Sequence, residues 1–223
     1  MKVSLLLFDG YTALDAVGAY EVLARIPGFD FECVAQHKGV IAADTRRLGL
    51  VAWRTLDELT ATDVLLIPGG PGALALEEDR AFLDQLRALD ATTTWTIAIC
   101  NGVGLLGAAG LLKGRCATTN YFYRDRLRGY GARVVDERCC DDGKYVTGAG
   151  VSASIDTALW FAGKVGSPAL MKALGLGIEY FPSPPYPERR PEDSPAEIQG
   201  LVRAAEEAQL ETLRVEPPFP TRG

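Results

Sequence analysis

Short runs of unbroken apolar residues alternate along this chain with longer stretches in which apolar residues recur every three or four positions. Val3 to Phe8, Val64 to Ile67 and Trp95 to Ile99 are of the first kind. They lack the polar alternation of a half-exposed strand and read as strands buried on both faces. After the turn signal Asp9-Gly10, residues Asp15, Ala19, Val22, Leu23 and Ile26 fall on one helical face, and Pro27-Gly28 stops the helix. One carboxylate therefore lies on the inward stripe. Phe29 to Ala35 reads as a second strand, and Val40 to Ala43 with Leu50 to Trp53 as a small hairpin-like excursion. Arg80 to Leu89 is helical, and Gly102, Leu105, Leu106 and Ala109 recur at helical spacing until Gly114. Short strands are predicted near Arg133 to Val135 and Lys144 to Thr147, with helices over Ser152 to Lys164 and Pro168 to Glu179. Strands alternating with helices imply βαβ crossovers, hence an α/β fold with a mostly parallel sheet covered on both faces.

Past Tyr180 the pattern breaks into FPSPPYPERRPEDSP, too rich in proline for a helix or a central strand. Ser194-Pro195-Ala196-Glu197 then reads as a helix start, with serine as N-cap, proline at N1 and glutamate at N3. Ile198, Leu201, Val202 and Ala205 give that helix one apolar stripe. The chain is thus predicted to divide into a domain over 1–181 and a proline-rich extension over 182–223. The helix of the extension packs on its own domain or on a second subunit.

Composition narrows the chemistry. With 223 residues, 48% hydrophobic and 23% charged, the chain is of ordinary globular type, and its net charge of −6 without a Lys/Arg cluster argues against nucleic acid or an acidic membrane as partner. The apolar run at the start is too short for a signal peptide or a membrane span, which predicts a cytoplasmic protein. The five cysteines are odd in number and include no CxxC, so neither a disulfide framework nor a zinc site is indicated. A single histidine, His37, excludes a multi-histidine metal centre and leaves no metal or cofactor to expect.

In an open parallel sheet the ligand crevice lies beyond the carboxyl ends of the strands. Three sequences close such strands. In Ala98-Ile99-Cys100-Asn101-Gly102 a nucleophilic residue stands between strand and helix with small residues two positions either side, the pattern of a nucleophile elbow. The helix start favours thiolate at Cys100; the alternative is a buried structural cysteine. Asp15 on the inward stripe is either a desolvated proton donor or a helix-start aspartate binding backbone amides. Pro68-Gly69-Gly70-Pro71-Gly72 either offers the Gly70 amide, with that of Asn101, as an oxyanion-type donor or is merely a tight corner. His37, Arg189-Arg190 and Glu206-Glu207 read as solvated surface.

Phe8-Asp9-Gly10, Leu14-Asp15, Ile67-Pro68-Gly69-Gly70, Ala98-Ile99-Cys100 and Ala117-Thr118-Thr119 together resemble the ThiJ/PfpI superfamily, which shares the flavodoxin-like, three-layer fold of class I glutamine amidotransferases. Within it, LLGAAGLLKG from Leu105, TGAGVSASIDTA from Thr147 and EYFPSPP from Glu179 resemble the isonitrile (isocyanide) hydratase branch. The resemblance implies a hydro-lyase without cofactor, commonly a homodimer, that turns a small isonitrile into an N-substituted formamide. It implies Cys100 as nucleophile, Asp15 as acid/base partner, Gly70 and Asn101 as backbone donors, and Asn120, Tyr121, Phe122 and Val151 around the substrate. In that branch threonine usually follows the nucleophile and histidine the paired threonines; here the positions hold Asn101 and Asn120. The missing histidine argues against a Cys-His-Glu triad. A glyoxalase-like or specialised-metabolite enzyme using the same pair, and a ligand- or redox-sensing module without catalysis, are the rival readings.

Overall fold

The computed structural model describes residues 1–186, 188 and 190–215; Pro187, Arg189 and 216–223, and with them one arginine of the expected surface pair, lie outside it. β1 (Lys2–Leu6) opens the sheet and leads into α1 (Ala13–Leu23) and β2 (Asp30–Ala35). The expected excursion follows as β3 (Gly39–Ala42) and β4 (Gly49–Ala52), an antiparallel pair, and then β5 (Arg54–Thr55). β6 (Val64–Ile67) runs into α2 (Gly72–Leu76) and α3 (Arg80–Asp90), whose N-cap Asp79 accepts the Phe82 amide. β7 (Trp95–Ile99) passes through a 3₁₀ turn over Cys100–Gly102 into α4 (Val103–Ala108). Beyond lie β8 (Cys116–Ala117), a second 3₁₀ turn over Tyr121–Tyr123, α5 (Arg124–Gly129), β9 (Arg133–Val134), β10 (Cys139–Asp142) and β11 (Tyr145–Gly148). α6 (Ala153–Val165), α7 (Pro168–Gly177), a turn over Pro191–Asp193 and α8 (Ala196–Val215) complete the described chain.

Seven strands form one sheet in the order β10-β11-β7-β6-β1-β2-β5, parallel except for β10. Its central five have the flavodoxin-like order, in which consecutive crossovers leave in opposite directions from β1 and β6. β1, β6 and β7 are the apolar runs of the sequence; Leu5, Leu65, Leu66 and Ile97 are fully buried, as strands covered on both faces require. α1 packs on α6, which carries α7, while α2, α4 and α5 pack in succession. No described helix is long and apolar enough to cross a membrane.

α8 does not pack its apolar stripe on its own domain. Ile198, Leu201 and Val202 are exposed, and the helix instead lays Glu206, Gln209, Leu210 and Leu213 along the carboxyl edge of the sheet. Arg203 stacks its guanidinium 4.7 Å from the Phe122 ring, and Arg46 Nη2 donates to the Leu213 carbonyl at 3.5 Å. Glu206 is thus half-buried rather than solvated surface, while Glu207 is exposed.

Candidate active site

Cys100 is the first residue after β7, and its φ of +57° puts it in the left-handed region that a side chain with a Cβ rarely adopts. Such a turn exists only if the strand end and the helix start approach another loop closely. A Cβ at Gly102 would stand 2.2 Å from the Pro68 carbonyl oxygen, and one at Gly69 would stand 2.8 Å from both Cys100 Cβ and Asp15 Oδ2. The small residue two positions after the cysteine is therefore required by contact with the glycine turn after β6. Thr119 Oγ1 donates to the Cys100 carbonyl at 2.6 Å and fixes the turn from below.

Asp15 is fully buried on the inward face of α1 and does not cap that helix. Its Oδ2 accepts the Gly69 amide at 2.7 Å, and Oδ1 has no full hydrogen-bond partner. Burial pushes its pKa up to about 8, with the Asp44 charge adding to the rise and the Gly69 amide opposing it; the neighbouring Cys100 thiol pulls it down slightly. Asp15 therefore holds a proton at neutral pH.

Cys100 departs from the expected thiolate. Burial first, and the Asp15 charge second, raise its pKa well above the ordinary thiol value, while the Asn101 amide and the Asn120 side chain hydrogen-bond the sulfur and act in the other direction. The helix it precedes has only six residues, and its dipole does not outweigh desolvation. Burial thus favours the thiol and the carboxylic acid over their charged forms.

The Gly70 amide has a side-chain partner of its own. Gly70 N donates to Asn101 Oδ1 at 2.6 Å and Asn101 Nδ2 donates back to Gly70 O at 2.9 Å, so this donor is engaged in the resting site. The Asn101 backbone amide is the one that faces sulfur.

A cavity of about 60 Å³ opens on Cys100, lined by Thr12, Gly70, Asn101, Asn120, Tyr123, Val151 and, from α8, Glu206 and Gln209. A larger one of about 550 Å³ shares Asn120 and Val151 with it and is walled by Leu14, Tyr121, Gly150 and Arg138. Tyr121 belongs to this second space, stacked on Phe122 at 3.9 Å, and Tyr123 takes the place expected for it beside the cysteine. Sequence reasoning missed Tyr123, Glu206 and Gln209. The spacing of Glu206 and Gln209, three residues apart on one helical face, is the one signal that pointed to them, and the stronger apolar stripe on another face hid it. His37 is exposed after β2, its Nδ1 3.3 Å from the Lys38 carbonyl, and lines neither cavity.

Comparison with known proteins identifies the family. The DJ-1/PfpI family profile matches residues 1–163. An isonitrile hydratase of Pseudomonas putida is 34% identical over 214 residues, 95% of this chain and 93% of that protein. The crystal structure of a ThiJ/PfpI family protein from Pseudomonas syringae superposes with a TM-score of 0.86 at 29% identity, covering 96% of this chain and 90% of that one. A DJ-1 superfamily protein from Salmonella typhimurium superposes with a TM-score of 0.72 at 26% identity, covering 80% and 98%. By sequence profile and by fold, the chain belongs to the DJ-1/PfpI family.

Proposed function

We propose that the protein hydrates an isonitrile, R–NC, to the N-substituted formamide R–NH–CHO. The observation that carries this reading is a cysteine in a left-handed elbow beside a buried, under-satisfied carboxyl, at a small cavity with no histidine in its lining. An isonitrile is uncharged, and its terminal carbon takes up both a nucleophile and a proton, so a soft nucleophile next to an acid suffices. Similarity to the Pseudomonas putida isonitrile hydratase supports the same reaction.

In the first step Cys100 Sγ bonds to the terminal carbon as Asp15 gives that carbon a proton and takes the thiol proton in exchange. The product is a thioimidate, R–N=CH–S–Cys100. Water then adds to the C=N bond, the nitrogen gains a proton, and collapse of the adduct breaks the C–S bond and returns the thiol. The Asn101 amide and Asn120 side chain hold the sulfur in line throughout. The small cavity takes the reacting carbon, and the larger space beyond Asn120 and Val151 takes R.

The test is formamide production from a simple aryl isonitrile by wild type and Cys100→Ala. We expect product from wild type and a loss on the order of 10³-fold or more in the variant. No product from wild type would move the assignment to another electrophile, such as a dicarbonyl, at the same pair.

A further inference from the structure

Asp15 meets the site at the Cys100 sulfur, where the substrate carbon is added, and contributes nothing to the rest of the cavity wall that a water molecule would meet. Its carboxyl is fully buried and hydrogen-bonded to Gly69. Among the described residues, the one carboxylate in that wall is Glu206, brought there by α8 from outside the segment that the family profile covers. Glu206 lines this cavity from α8, and its charge also acts on Tyr121, Tyr123 and, more weakly, Cys100.

Resting on the reading above, we propose that Glu206 is a second catalytic carboxyl, the general base for the water that releases the product, and that α8 closes the site by delivering it. The two half-reactions are thereby assigned to two different carboxyls. Asp15 exchanges protons with Cys100 and the substrate carbon while the C–S bond forms. Glu206 then takes a proton from water as the oxygen bonds to the thioimidate carbon, and passes it to the nitrogen, giving R–NH–CH(OH)–S–Cys100. Loss of the hydroxyl proton and breakage of the C–S bond yield R–NH–CHO and restore the thiol. Atoms balance with water as the only co-reactant.

The electrostatics fit this task. Burial raises the Glu206 pKa, and Arg203 on the same helix opposes the rise. The groups facing it are Arg203 from α8, Tyr121 and Tyr123 from the turn before α5, and Cys100 from the elbow. A base raised toward neutrality is a better proton acceptor than an exposed glutamate.

Glu206→Gln keeps the size of the side chain and removes the base. With an aryl isonitrile we expect the Cys100 adduct to form at the wild-type rate and to accumulate, seen in intact mass as enzyme plus one isonitrile, while steady-state formamide production falls about 10²-fold. The acid limb of the kcat profile should vanish with it, and Glu206→Asp should recover part of the turnover without adduct build-up. Turnover within about threefold of wild type, or an equal fall in adduct formation and turnover, would overturn the role of Glu206 and leave the hydratase reading standing. Neither adduct nor formamide from wild type would remove that reading, and this role with it.

Discussion

Two aspartates are buried at opposite edges of the same sheet, and only one of them is left incomplete. At the amino edge, Asp90 accepts from Thr96 Oγ1 at 2.6 Å and from the Tyr145 hydroxyl at 3.0 Å, and it pairs with Lys144 Nζ at 3.0 Å. Thr93 extends this network to Thr96 at 2.9 Å. At the carboxyl edge Asp15 has one backbone amide, an oxygen without a full partner, and a pKa pushed up to about 8. Burial of a carboxyl is thus no mark of chemistry. A carboxyl supplied with a cation and hydroxyl donors locks elements together; one denied them and desolvated favours its protonated form.

The contrast is sharpened most by Asp15→Asn, which preserves shape and removes the acid. Formamide production should fall by about 10²- to 10⁴-fold. Stability should respond with the opposite sign at high pH. The folded carboxyl titrates at about 8 and the unfolded one near 3.8, so the stability tied to its proton is full below about pH 4 and lost as pH rises to about 8. Thermal melting of wild type against Asp15→Asn at pH 5, 7 and 9 should show the variant gaining on wild type as pH rises, and parallel curves would contradict the assigned protonation. Asp90→Ala should do the reverse, costing about 3–5 kcal/mol in urea unfolding because Lys144 and Tyr145 lose a buried partner, with turnover per folded molecule unchanged. The smallest effect is expected of Asn101→Ala. It leaves the Gly70 amide and carbonyl without their side-chain partner, for about 1–2 kcal/mol measured in the same way.

The fold was legible where burial was symmetric. β1, β6 and β7 show as unbroken apolar runs because both of their faces are covered, and the stripe of α1 placed Asp15 inward because nothing else competes for that face. β10 was not legible: its sequence, CCDD, carries no apolar alternation, and it is a strand because an edge position beside β11 tolerates it. α5, RDRLRG, has one buried residue, Leu127, too little for a periodic signal. At the site, the cysteine elbow and its glycine neighbours could be read because a left-handed turn constrains local residue types. The protonation of Cys100 could not, since it depends on how deeply distant segments bury the sulfur. Glu206 escaped for a related reason. Helix faces are ranked in a sequence by their apolar residues, and α8 turns a partly polar face toward the cavity.

The backbone at Cys100 also bears on how this sequence can drift. A left-handed residue with a side chain costs about 1–2 kcal/mol that glycine does not incur. Selection for robustness alone would therefore replace the cysteine by glycine, erasing the thiol and relaxing the chain in one substitution. Stability and reactivity at residue 100 thus pull in opposite directions.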